Sequence, residues 1–378
     1  MPTEVCMSLP VIDPSRYDSL LAEKELLITE QFAAFNPPNL EVFPSDKTGY
    51  RMRVEFRVWH DGDELDYVMF APGSNYEHSK IKESKMVSDI IQRHMFVLLD
   101  LIRPVEILRK KLFQIDFLST QSGELLISLL YHKAIAEDWQ SAAQTLQLEL
   151  RKVSLSDEKV ELIGRAGKTE IMVGGDYVVE CMQINDKKMY YPQVETRFPQ
   201  PNAKVCIDML HWAIDVTKNI GDDLVELYCG NGNFSLPLAQ NFDNVIATEI
   251  SKTSVKSAQY NIKVNQIDNV KILRMSSEEF SQALQGEREF RRLKQNDVNL
   301  SDYKFSTVLV DPPRSGLDDE TIKQIVKYDN IVYISCNAAT LQLNLLDICK
   351  THSIQRFAIF DQFPYTDHIE VGVFLQRK

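Results

Sequence analysis

Apolar and polar positions alternate over residues 50–58, with Tyr50, Met52, Val54, Phe56 and Val58 on one face and Arg51, Arg53, Glu55 and Arg57 on the other. This period of two predicts a half-buried strand. The turn Asp61–Gly62–Asp63 and the apolar run Tyr67–Ala71 complete a hairpin. Helical spacing follows over 84–112, interrupted at Pro104, and a second hairpin over Phe113–Leu118 and Leu125–His132. A helix over 137–151 and strands over 159–182, broken at Gly164, Gly167 and Gly174–Gly175, give this half an α+β character.

The segment FPQPN (198–202) reads as a connector, dividing an α+β domain at 1–195 from a second domain at 196–378. From about residue 204 helices and short apolar strands take turns. A helix over 204–219 leads to the strand Asp223–Tyr228, the turn CGNGN and a helix from Phe234. Strands at Val245–Thr248, Val270–Arg274, Thr307–Val310 and Ile331–Ser335 alternate with helices over 252–265, 319–327 and 339–350, and apolar runs over 354–360 and 369–375 close the chain. The fold class predicted is α/β and Rossmann-like, a parallel sheet with helices on both faces and ligands beyond the strand carboxyl ends.

Candidate chemistry collects at those ends. ELYCGNGNFS (226–235) puts Gly230 and Gly232 between strand and helix, and Glu249 ends the next strand, where a carboxylate can take two ribose hydroxyls. A nucleoside-containing cofactor fits, and NAD and S-adenosylmethionine both satisfy this much. Position 235 is Ser, so the full G-x-G-x-x-G is unmet, which favours the methyl donor because it has no pyrophosphate to cradle.

DPPR (311–314) follows the strand STVLV, and its two prolines fix a backbone that aims Asp311 at the crevice. Related D/N-P-P-aromatic loops in methyltransferases stack an amine-bearing substrate; Arg314 in place of the aromatic speaks against exocyclic-amine methylation. Cys336 follows IVYIS and precedes Asn337, a good helix N-cap, so the helix dipole is expected to lower the thiol pKa. Glu370, in HIEVGVFLQ, is a carboxylate within an apolar strand, where desolvation makes a usable general base. A methyl donor, a thiolate and a base suit methylation of an unactivated pyrimidine carbon: thiolate addition at C6 of uracil makes C5 nucleophilic, and the base then removes the C5 proton.

Composition limits these readings. The 378 residues are 44% hydrophobic and 25% charged, ordinary for a globular protein. Net charge is −12, with −8 on residues 1–200 and −4 on 201–378, so any nucleic-acid contact must be a local basic surface. The basic run Arg288–Lys294 reads as a solvated helix face. The six cysteines (Cys6, Cys181, Cys206, Cys229, Cys336, Cys349) have no metal or disulfide spacing, which predicts reduced thiols and no metal site. With neither an apolar stretch of transmembrane length nor a secretory pattern in MPTEVCMSLP, the expectation is a cytoplasmic protein without membrane attachment.

YRMRVEFRVWHDGD, LFQID, SLLYHK, LIGR, FPQPN, ELYCGNGNFSLPLA, ATEI, DPPRSGLD, YISCN and FDQFPYTDHIEVGV together closely resemble the bacterial tRNA (uracil-5-)-methyltransferases, over nearly the whole chain. The resemblance implies S-adenosylmethionine-dependent formation of ribothymidine in the tRNA T-loop, with the T-loop of transfer-messenger RNA as a second substrate. It implies Cys336 as nucleophile and Glu370 as C5 base. Gln200, Tyr228, Asn233, Glu249 and Asp311 are implied as cofactor contacts, with Gly230 and Gly232 shaping the loop. An N-terminal RNA-binding domain is implied too, with Arg51, Phe113 and His132 as candidate RNA contacts. Ribosomal-RNA relatives usually carry a four-cysteine iron–sulfur motif and a small β-barrel RNA module; both are missing here, which favours tRNA. The competing readings are a ribosomal-RNA uracil methyltransferase, a catalytically silent RNA-binding protein and a nicotinamide dehydrogenase.

Overall fold

Val54, Phe56 and Val58 are buried while Glu55 and Arg57 are exposed along Arg53–Asp61, so the alternation in the sequence is realised as a strand with one wet face. The computed structural model describes residues 12–71, 73–74, 77–194 and 200–378; Cys6 and the first two residues of FPQPN lie outside them. Two compact units result.

The first comprises Met1–Ser15, Asp46–Cys181 and Tyr191–Ala203. Its seven-stranded sheet runs His78–Lys80, Glu64–Phe70, Arg53–Asp61, Leu112–Ser119, Glu124–Tyr131, Lys159–Ala166 and Thr169–Val173. All neighbours are antiparallel except Glu124–Tyr131 and Lys159–Ala166, which the helix Trp139–Arg151 joins by a crossover. A correction concerns Gly164, which interrupts no strand. It lies within Lys159–Ala166, and a Cβ there would come 2.6 Å from the Trp139 ring, so the glycine makes room for a buried indole.

The second unit comprises Arg16–Ser45, Met182–Tyr190 and Lys204–Lys378. The units are therefore not the contiguous halves 1–195 and 196–378. The helix Tyr17–Phe32 and the strand Leu40–Phe43 belong with the C-terminal sheet, where Ile28 and Phe32 share a core with Val225, Val310, Tyr333, Phe357 and Val371. Hydropathy hides this helix because it turns Lys24 inward while Leu26 and Leu27 are each 60% exposed.

The eight strands of this sheet are ordered Leu40–Phe43, His352–Phe360, Glu370–Arg377, Asn330–Ser335, Phe305–Val310, Asp223–Leu227, Asn244–Thr248 and Val270–Leu273. The expected all-parallel sheet is corrected in one strand: Glu370–Arg377 is antiparallel to both neighbours. From Asp223–Leu227 the chain winds outward to Asn244–Thr248 and Val270–Leu273, then returns to Phe305–Val310 on the other side. That reversal opens a crevice beyond the carboxyl ends of the two central strands.

Candidate active site at the strand carboxyl ends

Leu227 pairs with both Thr248 and Val310, and Val310 with Tyr333, so the residues that follow these strands emerge along one edge of the sheet. Tyr228, Glu249, Asp311 and Cys336 are those residues. Tyr228, Gly230 and Gly232 all have positive φ (65°, 55° and 84°), which folds the loop tightly. The two glycines differ in purpose. A Cβ on Gly232 would stand 2.5 Å from Leu236 Cδ1, whereas one on Gly230 would meet nothing within 4 Å. Gly232 therefore lets the loop pack on its helix, and Gly230 leaves backbone open to a ligand.

Glu249 braces this loop: Gly230 N donates to its Oε2 at 3.1 Å and Ser251 N to its Oε1 at 2.7 Å. Each carboxylate oxygen keeps a lone pair for a further donor. Tyr228 Oη is 3.1 Å from Ser277 Oγ. The Asn233 amide donates to Cys206 Sγ at 3.5 Å, tying the loop to the helix Ala203–Val216. Gln200 belongs to the other unit.

Asp311 leads into the proline pair, and burial lifts its carboxyl to about 7. Asn337 caps the helix Ala338–Ile348 as expected, accepting from Ala339 N at 3.1 Å, and its amide donates to Arg314 O at 2.9 Å. The expectation for the thiol is overturned. Burial first, then the charges of Glu370 and Asp311, push Cys336 up to about 11, against a smaller opposing effect of Arg314. Two carboxylates and desolvation outweigh the helix terminus.

Glu370 is 5% exposed and heads a strand flanked on both sides, so it is no edge carboxylate in water. Burial raises it to about 8, with Asp311 adding to the rise and Arg314 opposing it. Ser335 pairs with Val371 at the end of the antiparallel ladder, so Cys336 follows one strand where Glu370 heads the other, and the Glu370 charge reaches the thiol.

In the first unit, Phe113 and His132 stack with ring centroids 4.0 Å apart and planes at 15°, and the Arg57 guanidinium stands 5.6 Å from the Phe113 centroid. Phe113 and His132 line a groove of about 470 Å³ with Trp59, His60, Asp63, Glu106, Arg109 and Lys111. Arg51 is not among the lining residues; its Nε donates to Arg53 O at 2.9 Å and burial lowers its pKa. In the second unit the basic run is largely committed, Arg292 to Glu279 at 2.7 Å and Lys294 to Glu289 at 2.6 Å. Among the described residues no group of three or more His, Cys, Asp or Glu is arranged to hold a metal, and no helix is long and apolar enough to cross a membrane.

Residues 16–378 match the family model of tRNA (Uracil-5-)-methyltransferase. The chain belongs to that family. A tRNA/tmRNA (uracil-C(5))-methyltransferase of Psychromonas ingrahamii is 54% identical over 372 residues, covering 98% of this chain and 100% of the relative. Proteins of the same name from Shewanella woodyi and Vibrio parahaemolyticus are each 52% identical, covering 98% and 97% of this chain and 100% and 98% of their own lengths. Among solved structures, the Pyrococcus abyssi tRNA (uracil-54, C5)-methyltransferase in complex with S-adenosyl-L-homocysteine aligns with TM-score 0.70 at 19% identity, covering 95% of this chain and 83% of that one, and shares its fold.

Two features of this tRNA (Uracil-5-)-methyltransferase family member escape sequence reasoning. Glu226, within the buried strand before the loop, bonds Ser235 Oγ and is raised by burial to about 8. Its signal was visible as an acid inside an apolar run. Arg314 Nη2 lies 3.3 Å from His368 Nε2, joining the DPPR loop to the turn before Glu370. No spacing rule connects residues 54 positions apart.

Proposed function

We propose that this chain methylates C5 of the T-loop uridine of tRNA, and of the similar loop of tmRNA, in the cytoplasm, using S-adenosylmethionine. The observation that carries the reading is that Cys336 and Glu370, next to the paired Ser335 and Val371, are close enough for the carboxylate to act on the thiol at the strand ends that also carry the Gly230 loop. Relatives more than half identical over nearly the whole chain bear the name tRNA/tmRNA (uracil-C(5))-methyltransferase.

The residues suit the cofactor. Open space above Gly230, the remaining lone pairs of Glu249, the Tyr228 ring and the Asp311 carboxyl offer a surface for a nucleoside and an amino-acid moiety. Bound there, S-adenosylmethionine supplies an electrophilic methyl group on a sulfonium centre. Its positive charge, held near Asp311, Glu370 and Cys336, would favour the ionised form of all three.

Cys336 Sγ, as thiolate, bonds to uracil C6 and breaks the C5=C6 π bond, whose electron pair passes to the C4 carbonyl as an enolate. With the enolate pair returning to C5, that carbon would take the methyl group of bound S-adenosylmethionine, the S–CH3 bond breaking and the sulfur leaving as a neutral thioether. Glu370 removes the C5 proton, the C–H pair re-forms C5=C6, and the C6–S bond breaks to return the thiolate. A uridine inside a folded T-loop must be turned out to meet these groups. The Phe113–His132 stack, with Arg57 beside it, is suited to stacking on an unpaired base.

The test is methyl transfer from labelled S-adenosylmethionine to an unmodified tRNA transcript, comparing wild type with Cys336→Ala. The expected result is label in T-loop 5-methyluridine that is lost with the thiol. Label in ribosomal RNA alone would move the substrate, and label in neither would remove the enzymatic reading.

A further inference from the structure

Lys24 is the least expected residue on the inner face of the helix Tyr17–Phe32. It is 9% exposed, and its ammonium uses all three protons: on Asp361 Oδ1 at 2.7 Å, on Phe363 O at 3.1 Å and on His368 O at 3.0 Å. All three acceptors belong to one turn, Asp361–His368, which connects the strand ending at Phe360 to the strand beginning at Glu370. Phe360 and Glu370 are themselves paired across that turn.

The turn has bonds of its own, Thr366 Oγ1 donating to Phe363 O at 2.7 Å and His368 N to Thr366 Oγ1 at 3.2 Å, and further contacts tie it to its surroundings. Tyr365 has φ of 62°, a left-handed conformation that L residues disfavour. The Tyr17 ring lies 5.8 Å from the Tyr365 ring, and the Tyr17 hydroxyl, which accepts from Ser45 N at 2.7 Å, also bonds Asp361. Asp361 N donates to Phe43 O at 3.0 Å. At the far end of the turn, His368 Nε2 is 3.3 Å from Arg314 Nη2, and Arg314 is the positive neighbour of both Cys336 and Glu370.

We propose that Lys24 is a positioning residue for methyl transfer: by fixing the turn Asp361–His368 it sets Glu370 against Cys336 and His368 against Arg314. The inference rests on the reading of Glu370 as the C5 base. Without the ammonium, the buried Asp361 carboxylate keeps the Tyr17 hydroxyl but loses its cation, Phe363 O keeps Thr366 Oγ1, the His368 carbonyl loses its bond to Lys24, and the turn leading into Glu370 is tied down less firmly. The residue touches no substrate; it acts through the turn.

The test uses the full chain with unmodified tRNA transcript and S-adenosylmethionine. Lys24→Met removes the charge at similar length but strands Asp361, so the double variant Lys24→Met/Asp361→Asn, neutral at both positions, is measured beside it, as is Lys24→Arg. Thermal melting selects folded protein. The readouts are kcat, KM for each substrate, and the fraction of enzyme bound covalently to RNA during turnover, seen on a denaturing gel. We expect kcat of the first two variants to fall roughly 10- to 100-fold, the loss produced by ångström-scale misplacement. KM should stay within about twofold while the covalent fraction rises, because proton removal follows adduct formation; Lys24→Arg should recover part of kcat. Folded double variant turning over at the wild-type rate, or losing kcat with no rise in the covalent fraction, overturns the proposal. Glu370→Gln is the control that separates the two claims. A rise there without one in the Lys24 variants defeats the positioning role alone, and no rise in Glu370→Gln defeats the base assignment and this inference with it.

Discussion

The Glu370 carboxylate acts on the Cys336 thiol: Ser335 and Val371 pair at the end of two antiparallel neighbours, Cys336 follows the one and Glu370 heads the other, and the carboxylate charge raises the thiol. The thiol sits at about 11 and the carboxyl at about 8, both raised chiefly by burial. The groups proposed as nucleophile and base thus both resist charge.

The rate should therefore depend on pH in one direction. Glu370 serves as base only when ionised, and its pKa is raised, so the active form is lost as pH falls through about 8. The raised thiol, at about 11, adds to the same trend. We expect kcat/KM to climb steadily from about pH 6 to about pH 9 without a descending limb. A profile flat across that interval would show that neither group titrates in the free enzyme as described.

The loop glycines should separate binding from folding. Gly232→Ala drives a Cβ into Leu236 and forces φ of 84° on an alanine, so the melting temperature should drop, by about 2 kcal/mol or more of stability. Gly230→Ala meets open space, and only the φ of 55° opposes it, at about 1 kcal/mol. Its larger effect should be a raised KM for S-adenosylmethionine. Calorimetric melting and steady-state kinetics on both variants check the contrast, and equal effects on both quantities would refute it.

The RNA candidates should divide in the same way. Phe113→Ala removes the ring stacked on His132 in the groove, and loss of one base–aromatic contact weakens tRNA binding about 10-fold, with little change in melting. Arg51→Ala should act mainly on stability, since its side chain is tied to Arg53 O. Filter binding and melting of both variants test this. Tight binding by Phe113→Ala would move the RNA contact elsewhere.

Much of this arrangement is legible in the sequence because the central strands are buried throughout. Runs such as Asp223–Leu227 and Asn330–Ser335 read as mainly apolar segments, interrupted only by Glu226 between their first and last residues, and their carboxyl ends mark Tyr228 and Cys336. The helix Tyr17–Phe32 is not legible as part of that sheet, because a lysine with three buried acceptors stands where an apolar residue is expected. Gly164 misleads for a related reason: a glycine cut to fit Trp139 looks like a turn. The direction of the Cys336 pKa fails because helix capping is local in sequence, whereas Asp311 and Glu370 reach the thiol only through the fold.

The most direct measurement is mass spectrometry of the Glu370→Gln protein after incubation with unmodified tRNA and S-adenosylmethionine, followed by digestion of both polymers. The account predicts a denaturation-resistant adduct in which a methylated uridine is attached to the peptide carrying Cys336, since the methyl group has been transferred and the C5 proton cannot leave. Wild-type turnover by this variant with no adduct, or a nucleotide attached to any other residue, would contradict it.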